Sequence, residues 1–490
     1  MTAGVDRPTM AARALAGGFG PGNPSERTPL PHYTLNHDVI PAVETTWVIV
    51  AGVFVMFMQP GFMLLEIGFS RMKNAGTIVP KVLANFSIAA IGYWAIGFAL
   101  AFGGSGWFAG THGPFLDTNN GALFPAMAAS AATVPSKWFF QFVFCAVSLA
   151  IVWGTTIERI KFGAYLIYAV IFSTLIYPIV SHWIFGGGWL FKTFHMQDFA
   201  GSTVVHLIGA TGAFAALLLL GPRQGKYGPD GKPNVIPGHS MPLVGLAVLI
   251  LWFGWFGFNP GSTLSAISGP GRFAEVAVVT NLAAAAGVLG AMATIWLITR
   301  TFDMGMTCNG AIAALVAITA PSGYVEFWAA PIIGFLAGVI VVVSVILIDR
   351  KIDDPVGALS AHGMAGIWGT LSCGLFTSPR LAAFNANGHA GLVYHGDFHQ
   401  LGAQALGVAA AFTAVFIISF LVFFVIKATY GLRVESEEER YGLDIVEHGM
   451  WGYPEQFMPV PGSEYHPPAP PAQRPRPRPV PAGLAARGEA

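Results

Sequence analysis

The stretch Asp198-Phe199-Ala200-Gly201-Ser202-Thr203-Val204-Val205-His206 returns in spacing at Asp354-Pro355-Val356-Gly357-Ala358-Leu359-Ser360-Ala361-His362. Both read D-x2-G-x4-H, and both run on into apolar, glycine-rich sequence. Eight residues of helix at about 1.5 Å each span about 12 Å. A helix opened by the acid therefore carries its imidazole deep into an apolar layer. Ionisable groups at membrane depth are costly and by default mark a functional site. Two of them at matching places predict a duplicated fold whose halves meet at one shared pathway.

The rest of the chain supplies that apolar layer. Of 490 residues 54% are hydrophobic and 10% charged, whereas a soluble domain carries about 25% charged residues. The formal net charge of zero and the absence of a basic tract argue against a nucleic-acid partner. Cys145, Cys308 and Cys373 fall in apolar segments and offer neither a disulfide framework nor a metal spacing. Sixty glycines without a collagen period suit helices packed closely in lipid. This composition predicts a polytopic membrane protein; without a nucleotide motif or a covalent-catalysis constellation the chain is not read as an enzyme, and no cofactor is expected.

Runs long enough to cross a bilayer fall near 46–69, 79–104, 138–157, 162–185, 199–220, 241–259, 273–299, 306–322, 327–348, 356–378 and 402–427. The predicted fold is an all-α polytopic membrane protein of eleven transmembrane helices. Halves at 46–220 and 241–378 form an inverted five-plus-five repeat, and 402–427 adds one helix. Cations follow the odd-numbered runs (Arg71 and Lys73, Arg159 and Lys161, Arg223, Lys226 and Lys232, Arg300, Arg350 and Lys351). The positive-inside rule then sets the N-terminus outside and the C-terminus inside. Residues 1–45 read as a polar extracytoplasmic extension without the apolar core of a cleavable signal. Residues 46–430 read as the membrane domain, 431–460 as an ordered cytoplasmic regulatory segment, and 461–490 as a disordered proline-rich tail.

The run from Asp198 to Gly209-Ala210, ending at Gly221-Pro222-Arg223, resembles the signature of the Amt/Mep/Rh ammonium transporter family. Arg71-Met72-Lys73-Asn74, Glu158-Arg159-Ile160, Phe253 to Ser262, Asp353-Asp354-Pro355, Gly442-Leu443-Asp444 and Glu447-His448-Gly449 are similar to it as well. The likeness spans roughly 46 to 450. It implies an ammonium transporter of the plasma membrane, a homotrimer with one pore per subunit, and PII-type regulatory proteins docking on the inner face. It also implies recruitment of ammonium by Phe144 and Ser262, an outer phenyl gate of Phe144 and Phe258, and a pore lined by His206 and His362. Membrane lipid and ammonium or ammonia are the other expected partners.

The residues allow more than one reading. Asp198 can cap a helix through its free N–H groups, or attract a cation at the outer mouth; the resemblance implies that it shapes the recruitment site. Asp354 reads mainly as a cap. A lone buried His is more often a packing residue, but a duplicated pair can share a proton and pass it on. Two His could also bind a metal, though no third ligand is evident. Phe140 and Phe144 lie one turn apart on one face, and an aromatic face attracts a cation by about 0.5–2 kcal/mol.

Two departures stand out. Phe185 precedes Gly186-Gly187-Gly188 where many bacterial relatives have Trp, so capture is expected to be weaker or shared with Trp183 or Trp189. Gly357 stands where relatives often carry a further acid. Glu66 is expected to pair with nearby Arg71, and the acidic run Glu435, Glu437, Glu438 and Glu439 to meet basic loops near Arg71, Arg159 or Arg350. The rival functions are a passive ammonia or carbon dioxide channel, which would differ at the recruitment site, and a receptor reporting ammonium to a cytoplasmic partner.

Overall fold

In lipid every backbone N–H and C=O must find its partner within its own segment, so apolar runs of this length fold as helices. The computed structural model describes residues 38–118, 121–267, 269 and 271–457. The expected proline-rich tail, and nearly all of the expected N-terminal extension, lie outside the described residues. Among the described residues there is no strand, only two isolated bridges.

The helices are α1 (Ile40–Phe69), α2 (Met72–Phe102), α3 (Val134–Thr156), α4 (Phe162–Lys192, broken by a turn at 185–188) and α5 (Ser202–Leu220). Then come α6 (Met241–Gly261), α7 (Arg272–Thr299), α8 (Met304–Thr319) and α9 (Ala329–Ile348). The helix α10 begins as a π-helical turn (Leu359–Met364) and runs on as Ala365–Phe376; α11 is His399–Thr429. Nine of these are long and apolar enough to cross a membrane, and α8 is a shorter apolar helix. This is a multi-pass membrane protein.

α3, α5 and α8 are largely enclosed by protein. α7, α9 and α11 keep wide apolar faces outward, as suits helices whose solvent is lipid. α1 and α6 pack on each other, and the π-helical opening turns of α5 and α10 meet in the centre.

Those opening turns explain the repeated motif. Asp198 accepts from the N–H groups of Gly201 (2.7 Å), Ser202 (3.1 Å), Thr203 (2.9 Å) and Val204 (3.1 Å), so both its oxygens cap α5. Asp354 does the same for Gly357 (3.1 Å) and Leu359 (2.7 Å) before α10. Turning the chain back over the acid needs a left-handed residue. Gly201 has φ +118° and Gly357 φ +73°, a region open to glycine at little cost. A Cβ at Gly201 would also meet Val205 Cγ2 at 2.7 Å. An acid at Gly357 would strain this backbone.

At the other end of α5, charges are bound by charges. Arg223 forks onto Asp353 at 2.9 Å through both Nε and Nη2, while Arg159 Nη2 donates to the Asp353 carbonyl at 2.8 Å. Burial pushes the Asp353 carboxyl up, but Arg223 and Arg159 outweigh it and hold it at about 2. Arg71 pairs with Glu158 at 2.6 Å, and not with Glu66 as expected from proximity in sequence. Neither carboxylate oxygen of Glu66 has a hydrogen-bond partner.

Two short helices, α12 (Ser436–Tyr441) and α13 (Leu443–His448), dock on this same end. Leu443 N–H donates to Asn74 Oδ1 (2.8 Å), Asp444 accepts from Gly76 (2.9 Å) and Thr77 (2.8 Å), and Phe162 N–H donates to Glu447 (3.2 Å). The acidic run finds other partners than those expected. Glu439 takes Arg433 (2.7 Å) and the N–H of Gln224 (2.8 Å), and Glu435 and Glu438 form a capping box for α12.

Candidate functional site

At the end where α5 begins lies a cavity of about 170 Å³. Phe140, Gln141, Phe144, Phe185, Asp198 and Ser262 are among its lining residues, so the sequence-derived recruitment residues share one chamber. Asp198 spends both oxygens on α5, which leaves it shaping the wall. Ser262 Oγ donates its one proton to the Phe258 carbonyl at 2.8 Å. Its oxygen lone pairs therefore remain as acceptors for an N–H donor. Phe185 faces the chamber. Trp183 and Trp189 do not line it: Trp183 donates to the Phe108 carbonyl at 2.9 Å, and the two indoles pack at 5.7 Å.

Below the cavity the rings stack in file. Phe140 and Phe144 lie 4.6 Å apart between centres, and Phe144 and Phe258 4.0 Å apart at 21°. His206 follows at 5.6 Å from Phe258, and His362 at 5.2 Å from His206, at 18°. Phe62 closes the file 6.4 Å from His362. The gate and histidine residues thus form one buried column, each ring supplied by a different helix except the α3 pair Phe140 and Phe144.

His206 Nδ1 and His362 Nδ1 are 3.2 Å apart. One must donate and the other accept, so when both rings are neutral one proton lies between the two Nδ1 atoms and the accepting ring carries its own on Nε2. His206 Nε2 is buried without a partner. A buried orphan nitrogen is costly in a packed interior. No group of three or more metal-ligating residues occurs among the described residues.

Trp255, Tyr324 and Asn387 were not singled out from sequence. Trp255 stacks on His206 at 5.5 Å and is fixed by a 3.0 Å hydrogen bond to Thr319. Its place three residues before Phe258, on the same helical face, is the signal that identifies it. Tyr324 and Asn387 reach the cavity from loops, where no periodicity marks them.

Fold and site together define a multi-pass helical membrane protein with a buried column of aromatic rings that ends on a pair of histidines in contact. A sequence model described as the Ammonium Transporter Family matches residues 46–453. Ammonium transporter Amt2 of Archaeoglobus fulgidus is 43% identical over 426 residues, covering 84% of this chain and 88% of the relative. The ammonium transporter of Bacillus subtilis is 32% identical over 421 residues, covering 84% and 98%. Among solved structures, a Sensor Amt Protein superposes with TM-score 0.77 at 37% identity, over 84% of this chain and 99% of that one. Mep2 of Candida albicans gives 0.75 at 30%, over 86% and 92%. The chain belongs to the ammonium transporter family.

Proposed function

We propose that the protein carries ammonium inward across the plasma membrane as ammonia and a separately relayed proton. In this reading eleven helices span the bilayer, with the cavity outside and the C-terminal segment in the cytoplasm. Ammonium is held by the Phe144 and Phe185 faces and the Ser262 oxygen, with Asp198 shaping the wall. An intact ion entering the stacked rings would lose its water shell at a cost of several kcal/mol. Burial disfavours the charged form of an amine by up to about 3–5 pKa units, so the proton leaves and ammonia passes the Phe144–Phe258 gate. The single observation carrying this is the unbroken ring file from the cavity to the His206–His362 pair. The proton travels along that pair. The assembly is a homotrimer, and a PII-type protein is its inner-face regulator.

The test is an ammonium jump on proteoliposomes holding the purified protein. A saturable current on ammonium, absent on sodium, is expected; ammonia permeation without charge would favour a passive gas channel. A second reading, ammonium sensing, is supported by the likeness to a protein described as a sensor and by the docked α12–α13 segment. Ammonium-dependent protease protection of that segment would support it, and unchanged cleavage would dismiss it.

A further inference from the structure

Glu66 and Lys81 are both almost wholly buried, at 1% exposure. Glu66 lies on α1 one turn after Phe62, the ring next to His362. A Cβ at Gly154 of α3 would lie 3.4 Å from Glu66 Oε1 and 3.4 Å from Val356 Cγ2. This puts the carboxyl on the inner side of the histidines, against α3 and the approach to α10. Lys81 faces it from α2, with Nζ 2.8 Å from the centre of the Trp153 ring. Both Glu66 oxygens, Lys81 Nζ and Trp153 Nε1 lack hydrogen-bond partners. A buried ion pair kept for structure satisfies its donors and acceptors. These four unmatched atoms are ones that ordered water would satisfy in a buried site.

Lys81 also adjoins the docked C-terminal segment. Thr77 lies one turn before Lys81, and its hydroxyl meets His448 Nε2 of α13 at 2.5 Å. Asp444 clamps the Gly76 and Thr77 N–H groups, and Phe162 packs edge-on to the His448 ring at 5.1 Å. The charged groups facing His448 are Asp444 on its own helix and Lys81 on α2. Its neighbour Glu447 is turned to the Phe162 N–H.

We propose that Glu66 and Lys81 form a buried proton-holding pair whose outlet is His448, so that the docked C-terminal segment completes a route for charge beside the ammonia pore. The proposal rests on the relay reading above. A proton leaving His362 crosses bridging water to the Glu66 carboxylate and makes it a carboxylic acid. The Lys81 ammonium gives a proton toward the His448 imidazole and is reprotonated by Glu66. His448 releases that proton to the cytoplasm. One proton enters and one leaves, and no bond between heavy atoms changes. Undocking of α13 withdraws the outlet, which makes charge movement, and not ammonia passage, the regulated step.

The test uses full-length protein in liposomes, with ammonium-induced current and ammonia-driven lumenal alkalinisation read in parallel. Glu66→Gln is expected to cut current roughly tenfold or more, the scale on which positioned proton-transfer groups act, while alkalinisation stays near wild type. Glu66→Asp restores the current. His448→Gln, a change in a surface-docked helix, lowers current in the same selective way and decides the matter if Glu66→Gln does not assemble. A wild type that moves no charge overturns both the relay and this route. Wild-type current in Glu66→Gln, or in His448→Gln where the Glu66 variant fails, overturns this route alone, as does parallel loss of current and ammonia flux.

Discussion

Phe185 tests how the chamber grips its cation. Trp is the stronger cation–π partner, and this ring faces the cavity with no indole sharing the task. Phe185→Trp is expected to tighten the half-saturating ammonium concentration by up to about tenfold, if 1.4 kcal/mol of extra attraction is realised. Current titration in vesicles measures it, and an unchanged or weaker value means that the ring does not meet the ion. Much at this scale was legible. Asp198 and the helix it opens lie within one short stretch, so its capping role follows from a local rule. Glu66 was not legible in this way. Arg71 is its close neighbour in sequence, yet the fold brings Glu158 from 87 residues away to take that guanidinium.

At the scale of elements, the ends of α3, α5 and the α9–α10 connection are fastened by Arg159, Arg223, Glu158 and Asp353. Breaking a buried ion pair leaves a charge uncompensated, at a cost of about 3–5 kcal/mol. Asp353→Asn should therefore lower the thermal midpoint of the purified protein substantially. The pH dependence has a definite sign. Asp353 is held at about 2 in the fold, against about 3.9 for a free carboxyl. Its contribution is full above pH 4 and is lost as pH falls toward 2. The variant should lack that acid step in a denaturation series, and an identical acid profile would show that the carboxylate does not fasten these helices. The helices themselves were readable as apolar runs. The π-helical openings of α5 and α10 were not, because the hydrophobic pattern does not distinguish a π turn from an α turn over six residues.

For the whole molecule, one end is bound together by loops that lie far apart in sequence. The loops after α1, α3 and α5 and the segment beyond α11 lie together: Asn74 accepts from the Leu443 N–H, and the N–H groups of Thr77, Phe162 and Gln224 donate to Asp444, Glu447 and Glu439. Which side chains would meet there was not legible, since each contact depends on the packing of several helices. Truncation after Tyr430 is expected to lower transport without abolishing membrane insertion. Truncation after Pro461, outside the described residues, should be nearly neutral. Equal transport by the two forms in matched vesicles would reduce the docked segment to a tail.

The central claim is that ammonium is split at the aromatic gate and its proton carried by the paired histidines. The most direct measurement is the charge moved by His206→Ala/His362→Ala protein in proteoliposomes on an ammonium jump, beside wild type at equal reconstitution. The account predicts a folded variant whose selective ammonium current is gone. A wild-type current from the double variant would contradict it.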